Sequence, residues 1–487
     1  MALVGRYSGT RTEIRVSSET HRLSRRREIS QEVTLYIGEA LNRDLPREVS
    51  EAASLHLLDT VAAIISGTTL PAYRNAHKFL ESERNQGPAT VIGMGGTASA
   101  TLAAFVNGVS AHADETDDNH RTLVHAGCAV VPAALALAER KKSSGQQLLR
   151  AVTLGYDIAV RMALALGPDL QDPRRNPANG CTIGASFGAA AAAGALTQLS
   201  IQQLRYLWAY AAYQAGGNWS FLRDPSHVGK AVAVGGLPAR NGVWAAELVQ
   251  SGFTAENDAL DGEQNFLESL SKSPEIEQLA EGLGERWEIL NANIKRYPVG
   301  GPLQVVAEAV HELIAKRRYD PSQIVSIDVE ISGRDRFIVN NRTMSDIDAG
   351  YIVASMILDG KLTFQATHDY SRMHDDAAIA DLRRKVRLIA DNSVPIGTRV
   401  ATVHITDVNG RKDSSHVTAV RGSAENPMSR QEVDEKARDL ILPVVGTDKC
   451  DELLAIFRSV ENLDDLGPIS ECLRAIVVPE SREGNGI

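Results

Sequence analysis

Cysteine is scarce in this sequence: Cys128, Cys181, Cys450 and Cys472 are the only four in 487 residues. No two of them stand at the Cys-x-x-Cys spacing that zinc ribbons and iron–sulfur clusters use. A chain of this length buries roughly 75% of its unfolded surface and needs no disulfide bonds to be stable. We therefore expect a reducing compartment and neither a zinc nor an iron–sulfur centre.

Excess positive charge, long apolar runs and nucleotide-binding glycine motifs are also missing. Lys and Arg number 51 against 61 Asp and Glu, and the net charge of −10 argues against a nucleic-acid or membrane partner. No run of 18 apolar residues predicts a transmembrane helix. Gly229-Lys230 lacks the upstream glycine of a Walker A motif, and Gly93–Gly96 lies in no βαβ unit. We expect no cofactor.

The first 28 residues carry seven arginines but no apolar stretch of the kind that a signal peptide needs. Glu13, Glu19 and Glu28 also disfavour a mitochondrial transit peptide, since such peptides are poor in acidic residues. We therefore predict that residues 1–28 form a disordered tail and that the protein is cytoplasmic. A mitochondrial location is the alternative if this segment is a transit peptide.

The hydrophobic pattern predicts a mostly α protein with a smaller α/β domain. In residues 29–284 apolar residues recur at helical spacing, as at Val49, Ala53 and Leu57, and no segment alternates convincingly. The small residues of Phe187–Gly194 predict helices that approach each other closely. We expect a large all-helical domain here.

Residues 285–428 have a different pattern, which predicts a smaller α/β domain. Alternation over Val325–Ile331 indicates a half-buried strand, and the segments on either side of Asn409-Gly410 indicate a β-hairpin. The Ser429-Arg430-Gln431-Glu432 segment fits a capping box. Residues 429–487 are therefore predicted to return to helices that pack back on the first domain.

The densest chemistry lies in residues 112–125, where three histidines and four acidic residues fall within 14 positions. Charged groups are costly to bury unless they are solvated, paired or bound to a ligand. This segment connects two alanine-rich stretches that are predicted to be helices. We therefore predict that residues 112–125 form the wall of an active site.

Candidate catalytic residues follow from this segment and from two later ones. His125 stands at the entry to a predicted helix, and its ordinary pKa suits proton transfer near neutrality. Lys295 can bind a carboxylate as a point charge, or donate a proton if burial lowers its pKa. The close carboxylates repel one another, so at least one needs a cationic partner or a raised pKa. The predicted catalytic residues are His125, Lys295, Glu115 and Tyr351.

Further polar residues are candidates for substrate binding. Asn119 can hydrogen-bond a carboxylate or hydroxyl, His120 can orient its neighbours, and Asp118 can orient a histidine or hold backbone. Arg223 and His227 can together hold a second carboxylate, Arg223 through a bidentate fork. Each residue also has a structural explanation, such as a helix cap or a salt bridge, and the sequence leaves both open. The predicted substrate-binding residues are Asn119, His120, Arg223, His227 and Asp118, and we predict no metal site.

The order of the motifs over most of the chain resembles the MmgE/PrpD family, which includes 2-methylcitrate dehydratase, cis-aconitate decarboxylase and iminodisuccinate epimerase. The resemblance implies a large helical domain, a smaller α/β lid domain, a homodimer and a cofactor-free enzyme. The segments that carry it are Leu58-Asp59-Thr60, His112 to His125, Val131–Glu139, Gly155-Tyr156-Asp157, Phe187-Gly188, His227-Val228-Gly229, Gly252-Phe253-Thr254, Lys295-Arg296-Tyr297-Pro298, Tyr351 to Gly360 and Asn426-Pro427.

Several positions depart from the family pattern and leave the reaction open. Glu115 replaces the usual Asp, and Asn119 replaces the usual Thr. The family lysine upstream of His227 is missing, with Arg223 the nearest cation on that side. A second histidine of the decarboxylase has only Asn176 or Asn179 in its place, and another histidine is replaced near Gln304.

The leading hypothesis is a lyase, either a dehydratase or a decarboxylase, that acts on a small di- or tricarboxylate by proton transfer alpha to a carboxylate. The alternative on the same scaffold is an epimerase of a dicarboxylate such as iminodisuccinate. From another class, Asp114–Asp118 resembles the aspartate-rich Mg²⁺–diphosphate motif of isoprenoid synthases, but 5% aromatic residues are few for stabilising a carbocation. A non-catalytic binding protein of the same family is the last possibility.

Overall fold

The structure is a computed structural model that describes residues 9–82, 86–395 and 398–479. Two separate hydrophobic cores organise it. The first is built from residues 29–294 and 428–476 with Phe364, and the second from residues 297–417. The expected large helical domain and smaller α/β domain are both present.

The first domain consists mainly of α-helices, and the four strands among its described residues have two or three residues each. Strands this short give no alternating pattern, so the prediction of an all-helical domain missed them. The helices are α1 (Gly9–Glu39), α2 (Arg47–Gly67), α3 (Pro71–Ser82), α4 (Ala100–Ala111), α5 (Gly127–Lys141), α6 (Gly145–Ala165), α7 (Gly180–Leu196), α8 (Ile201–Gln214), α9 (Val228–Ala231), α10 (Leu237–Gln250) and α11 (Phe266–Leu270). The strands are β1 (Ala89–Val91), β2 (Gly96–Ala98), β3 (Asn119–His120) and β4 (Ala292–Asn293), paired β1 with β2 and β3 with β4.

Helix α7 lies at the centre of this domain and packs against α6 and α10. A Cβ atom added at Gly188 would lie 2.3 Å from the carbonyl oxygen of Gly155, and one at Gly242 would lie 2.5 Å from the backbone of Ala189. Glycine is therefore needed at both positions for space. This confirms the close helix packing that the small residues of α7 predicted.

The second domain is a four-stranded sheet covered by helices. The strand order is β6-β5-β7-β8, in which β5 and β6 are parallel and the other neighbours are antiparallel. The predicted hairpin is present, with Gly410 at a φ of 77° in its turn. The elements are α12 (Gln304–Lys316), β5 (Ile324–Ser332), α13 (Gly333–Val339), α14 (Ala349–Asp359), α15 (Phe364–Thr367), α16 (Tyr370–Asp375), α17 (Ala377–Lys385), β6 (Val386–Asp391), β7 (Ala401–Asp407) and β8 (Lys412–Val417).

The C-terminal helices α18 (Arg430–Val445), α19 (Thr447–Arg458) and α20 (Gly467–Arg474) return to the first domain. Ser429 and Glu432 form the predicted capping box. Helix α18 packs along α2, and the ammonium of Lys436 lies 2.5 Å from Oδ1 of Asp59 and 3.1 Å from the carbonyl oxygen of Thr116. In the structure this part of the chain therefore contacts the first domain.

Two predicted boundaries differ from the structure. Helix α1 already begins at Gly9, so residues 9–28 are helical rather than a disordered tail, while residues 1–8 lie outside the described residues. Arg26 is buried and its guanidinium lies 2.6 Å from Glu268, which explains why this arginine-rich segment joins the fold. The two cores meet between Ile294 and Tyr297 rather than at residue 285.

Helix α2 is long and apolar enough to cross a membrane by length and composition alone. In the structure 78% of its apolar window is buried inside the protein. This burial is what a central helix of a globular core requires.

Candidate active site

The segment with the histidines and acids connects the end of α4 to the start of α5. His112 directly follows α4, and every residue from 112 to 120 is buried. Within this segment Asn119 and His120 form β3 and pair with β4. That pairing carries the chain after β4 past the acidic residues and places Lys295 among them.

Asp117 lies between two histidines and a lysine. Its Oδ2 atom is 2.9 Å from Nδ1 of His112 and 3.0 Å from Nδ1 of His125, and its Oδ1 atom is 3.6 Å from the ammonium of Lys295. Burial alone would raise the pKa of Asp117, but these neighbours outweigh burial and hold the pKa well below its usual range. Asp117 is therefore an anion that orients His125.

Glu115 is surrounded by cations and a histidine. Nε2 of His227 lies 3.0 Å from Oε1 of Glu115, and the ammonium of Lys230 contacts the same oxygen. The ammonium of Lys295 is 3.6 Å from Oε2 and donates to the backbone carbonyl of Glu115 at 2.7 Å. Burial raises the pKa of Glu115, yet Lys230, His227 and Lys295 together hold it well below its usual value. Glu115 therefore holds both lysines in place.

Three imidazole rings lie in contact beside these carboxylates, one pair edge-on and the other tilted. The ring centre of His112 is 4.8 Å from that of His125 and 5.2 Å from that of His227. Complete burial lowers the pKa of His112 to about 3 despite the nearby Asp117, so His112 is neutral at physiological pH. His125, in contrast, is the partly exposed member of the three.

The local backbone explains how His227 reaches Glu115. His227 precedes α9 with a left-handed φ of 61°, a conformation that few non-glycine residues adopt. A π-helical turn over Val232–Gly236 then joins α9 to α10, and a Cβ atom added at Gly235 would lie 2.1 Å from the carbonyl oxygen of Gly108. This contact brings the α9 segment against α4 and hence against His112. Such π-helical turns are frequent at functional sites.

The side chain of Asp118 is hydrogen-bonded to groups of the protein and stabilises the fold. Its carboxylate accepts from the backbone N–H of Gly127 at 3.0 Å, lies 2.7 Å from Nδ1 of His56 and accepts from the Tyr156 hydroxyl. Asp118 thereby fixes the start of α5, which follows His125. The prediction that it orients a histidine or holds backbone agrees with this geometry, whereas its assignment to substrate binding does not.

His120 and Asn119 are also committed to the fold. Nδ1 of His120 accepts from the backbone N–H of Thr122 at 3.2 Å, and burial lowers its pKa to about 4. The side-chain oxygen of Asn119 accepts from Asn293 at 3.1 Å across the β3–β4 pair. Both were predicted to bind substrate, but Nδ1 of His120 stabilises the turn at Thr122 and the side chain of Asn119 stabilises the strand pair.

Among the described residues, neither Arg223 nor Tyr351 has a hydrogen bond or an ion pair with the cluster. Arg223 is exposed at the end of a short 3-10 helix, four residues before His227. Tyr351 is fully buried in the second core, and its hydroxyl donates to the carbonyl oxygen of Ala366 at 2.7 Å. Tyr351 therefore stabilises the turn that precedes His368 and is not placed for catalysis.

The second domain contributes its own titratable groups to the cluster. Nε2 of His368 lies 3.2 Å from Oδ2 of Asp114. Burial opposes protonation of His368, but Asp114 and Asp346 raise its pKa to about 8. Burial raises the pKa of Asp346 to about 6, against the opposing charges of His368 and His227. The candidate active site therefore lies where the two domains meet.

Several of these residues could not be found from the sequence pattern. Lys230 was noted only as part of a failed Walker A motif, and His368 and Asp346 lie in segments with no dense cluster of acids or histidines. The signal for Lys230 was its position only three residues after His227. The residues that the predictions omitted are His112, Asp117, Lys230, His56, Asp346 and His368.

One group in the described part of the chain offers ligand atoms for a metal ion. The donor atoms of His112, Asp117 and His125 lie within 4.8 Å of one another. Two histidines and one carboxylate can bind a transition metal, but the same arrangement also suits proton transfer, with Asp117 as the shared hydrogen-bond acceptor.

Comparison with known families identifies the chain. The model of the MmgE/PrpD N-terminal domain matches residues 31–279, and the model of the MmgE/PrpD C-terminal domain matches residues 297–462. The chain belongs to the MmgE/PrpD family. The resemblance noted from the motifs is confirmed. The N-terminal match lies within the first hydrophobic core, whereas the C-terminal match contains the second core and also helices that return to the first.

Characterised relatives of this MmgE/PrpD chain are cis-aconitate decarboxylases. The chain is 25% identical to the enzyme of Homo sapiens over 455 residues, which cover 90% of this chain and 92% of that protein. It is 25% identical to the enzyme of Aspergillus terreus over 482 residues, or 92% of this chain and 96% of that protein. The enzyme of Mus musculus is 24% identical over 442 residues, or 86% of this chain and 88% of that protein.

The departures from the MmgE/PrpD pattern have clear positions in the structure. The cation expected upstream of His227 comes instead from Lys230, downstream of it. Asn179 caps α7 by accepting from the backbone N–H groups of Cys181 and Thr182. Gln304 donates to the carbonyl oxygens of Tyr297 and Val299, at 2.7 and 2.9 Å, so it stabilises the turn after Lys295.

Proposed function

We propose that the protein is a lyase that acts on a small tricarboxylate, and that it decarboxylates cis-aconitate or a close analogue. The observation that carries this proposal is the buried pair of carboxylates, Glu115 and Asp117, which hold Lys230, Lys295 and His125 together. The cis-aconitate decarboxylases that match along nearly the whole chain support the same substrate class. A dehydratase is the second lyase reaction that this site suits.

The lysines suit the binding of carboxylates. Lys295 is buried and its ammonium has Glu115 and Asp117 as neighbours, so its position is fixed before a ligand arrives. Lys230 is less buried and has Glu115 on one side. A carboxylate that enters beside them gains charge-assisted hydrogen bonds in a site of low dielectric constant, where such bonds are strong.

The proton is carried by His125. Its Nδ1 atom donates to Asp117, so the other ring nitrogen, Nε2, is the one that can give or take a proton at substrate. In decarboxylation, the bond between carbon and the departing carboxylate breaks and its electron pair stays on the substrate. A proton from Nε2 of His125 then adds to carbon. The lysines stabilise the negative charge that develops in between.

Proton NMR in D2O with the purified protein tests the proposal. The panel contains cis-aconitate, citrate, 2-methylcitrate, iminodisuccinate and related diacids, each with and without EDTA. Loss of CO2 and new vinyl signals from cis-aconitate are the expected result, and their persistence in EDTA would exclude a role for the His112–Asp117–His125 group as a metal site. No conversion of any tricarboxylate would contradict the proposal.

An epimerase is the alternative that one observation favours. Besides the Asp117–His125 pair, the second domain supplies a further buried acid and histidine, Asp346 and His368. Removal and return of a proton on opposite faces of a carbon needs two such groups. Deuterium exchange alpha to a carboxylate with a new diastereomer, and without elimination or CO2 loss, would establish this alternative.

We also propose that the protein is a homodimer, as the family resemblance implies. A surface formed by Tyr210, Tyr213 and Phe253 supports this, because Tyr213 and Phe253 are 64% and 55% exposed and both rings pack edge-on against Tyr210. Exposed aromatic clusters of this kind are enriched at interfaces. Light scattering should give twice the chain mass, and Phe253→Ser should shift the protein to monomer.

A cytoplasmic location completes the proposal. The four cysteines are free and buried, which suits a reducing compartment. Fractionation of cells that express the tagged chain should place it in the cytoplasmic fraction, and recovery in mitochondria with a shortened N-terminus would favour the transit peptide.

A further inference from the structure

Arg399 is a partly buried cation whose Nη1 atom has no hydrogen-bond partner among the described residues. It lies shortly before β7 in the second domain, and that Nη1 atom is buried. Within the described ranges, no carboxylate lies within ion-pair distance of Arg399. A guanidinium in such a position costs free energy unless a ligand satisfies it.

The chain makes room for this guanidinium at Gly301. A Cβ atom added at Gly301 would lie 2.2 Å from Nη1 and 2.7 Å from Nη2 of Arg399. The backbone of Gly301 is not left-handed, so space rather than conformation requires glycine there. Gly301 follows the turn that begins at Lys295, so the Arg399 guanidinium packs against the segment that supplies a lysine to the cluster.

Arg399 is linked to the candidate site by its contact with Gly301, six residues after Lys295, and Glu115 is among the charges that act on it. Burial lowers its pKa, and the charges that act on it come from Asp335, Arg334 and Glu115. Glu115 already has His227, Lys230 and Lys295 as closer partners, within 3.6 Å. Glu115 therefore attracts Arg399 from beyond hydrogen-bond distance, and no described residue of the cluster accepts a hydrogen bond from its N–H groups. A carboxylate between Arg399 and the lysines would supply that acceptor.

We propose that Arg399 binds one carboxylate of the substrate through its planar fork and so selects tricarboxylates over dicarboxylates. The inference rests on the proposed function, since it specifies which residue recognises the third carboxylate. Two parallel N–H···O bonds match a carboxylate in geometry, which a lysine cannot do. Because Arg399 comes from the second domain and Lys295 from the boundary between the domains, the substrate would contact both.

Binding measured by calorimetry or NMR titration tests this inference without turnover. The ligands are tricarballylate, which has three carboxylates, glutarate, which lacks the central one, and methylsuccinate, which lacks a terminal one. R399Q should weaken tricarballylate binding about 10- to 100-fold, the scale for losing charge-assisted hydrogen bonds. Binding of at least one dicarboxylate should be unchanged, and that ligand identifies the carboxylate that Arg399 holds.

Two further variants separate recognition from folding. G301A keeps the arginine but occupies the space of its guanidinium, so it should weaken tricarballylate binding in the same direction as R399Q. R384Q removes an exposed arginine of the same domain whose one ion pair with a described residue is to Asp381, and it should bind all three ligands like the wild type. Guanidinium chloride at millimolar concentration should partly restore binding to R399A.

The outcomes distinguish this inference from the proposed function. If the wild type converts cis-aconitate but R399Q binds tricarballylate as tightly as the wild type does, the inference is wrong and the lyase proposal remains. Selective loss of tricarballylate binding in R399Q, in a protein that converts no substrate, supports the inference and contradicts the lyase. An equal loss for all three ligands, or no binding by the wild type, overturns the assignment of Arg399 to one carboxylate.

Discussion

Nδ1 of His125 and Oδ2 of Asp117 lie 3.0 Å apart, and this hydrogen bond decides which nitrogen of His125 can reach a substrate. Asp117 is fully buried and anionic, so it keeps the proton of His125 on Nδ1 in the neutral ring and stabilises the imidazolium when Nε2 is protonated. His125 is partly exposed, whereas the other ring on Asp117, His112, is fully buried and neutral. The two histidines therefore have different roles on one carboxylate.

Loss of this hydrogen bond should reduce turnover. We expect a fall in turnover of about 100- to 10,000-fold for His125→Gln, the usual contribution of a general acid or base. Asp117→Asn should have a large effect in the same direction while the circular dichroism spectrum stays that of the wild type. His416→Gln, on the exposed face of β8, is the matched control and should retain full activity. Near-normal turnover in both site variants would refute the assignment of the proton carrier.

Removal of Lys230 should destabilise the fold through Glu115. Breaking a buried charge pair on one side leaves the other charge uncompensated, so Lys230→Met should lower the free energy of unfolding by up to about 3 kcal/mol. Adding Glu115→Gln to Lys230→Met should recover part of that loss, because the unpaired charge disappears. Urea denaturation of both variants measures the difference. If the double variant is instead less stable than Lys230→Met, the charge of Glu115 is compensated by its other partners, His227 and Lys295, without Lys230.

Arg223 and Tyr351 provide a contrast between a surface and a core position. Arg223→Ala should leave turnover and substrate affinity within about twofold of the wild type, since exposed side chains outside a site rarely matter. Tyr351→Phe should lower the free energy of unfolding by about 1 kcal/mol, because the carbonyl oxygen of Ala366 loses its donor. If Tyr351→Phe instead slowed turnover by about 100-fold or more, on the scale of a lost general acid, Tyr351 would return to the catalytic residues.

The pH dependence of stability should reveal His368. Its pKa is about 8 in the folded protein against 6.5 for a free histidine, so protonation favours the folded state. The contribution is fully present below pH 6.5, is lost as the pH rises through 8, and amounts to about 2 kcal/mol at 1.36 kcal/mol per pKa unit. Asp114 and Asp346 are the carboxylates that face His368. The stability difference between wild type and His368→Gln should therefore shrink between pH 6.5 and 8.5, and a constant difference would contradict this.

The sequence was sufficient for the features that depend on local pattern. The alternation that forms β5, the Asn409-Gly410 turn and the Ser429–Glu432 capping box each reflect a short-range rule, and all are present. Boundaries of helices that depend on tertiary packing were harder to predict from the sequence. Residues 9–28 join α1 partly because Arg26 meets Glu268, a contact between distant parts of the chain.

The candidate site could likewise be predicted only in part from local sequence. A dense run of acids and histidines identified the segment, but not which member faces a ligand, because that depends on partners far away in sequence. Asp118 is used by His56 and Gly127, and Asn119 by Asn293. Lys230 could replace the expected upstream lysine only because α9 places it beside Glu115.

The first core contains residues from both the N-terminal and the C-terminal parts of the chain, and the residues of the second core lie between them in sequence. On the ribosome, residues 297–417 are therefore all available to fold before residues 428–476 have been made. Until Lys436 emerges, Asp59 in α2 lacks the cation that opposes its charge in the folded protein. The domain that begins synthesis first is consequently the last to close, and a premature stop codon near the C-terminus should harm the helical domain more than the α/β domain.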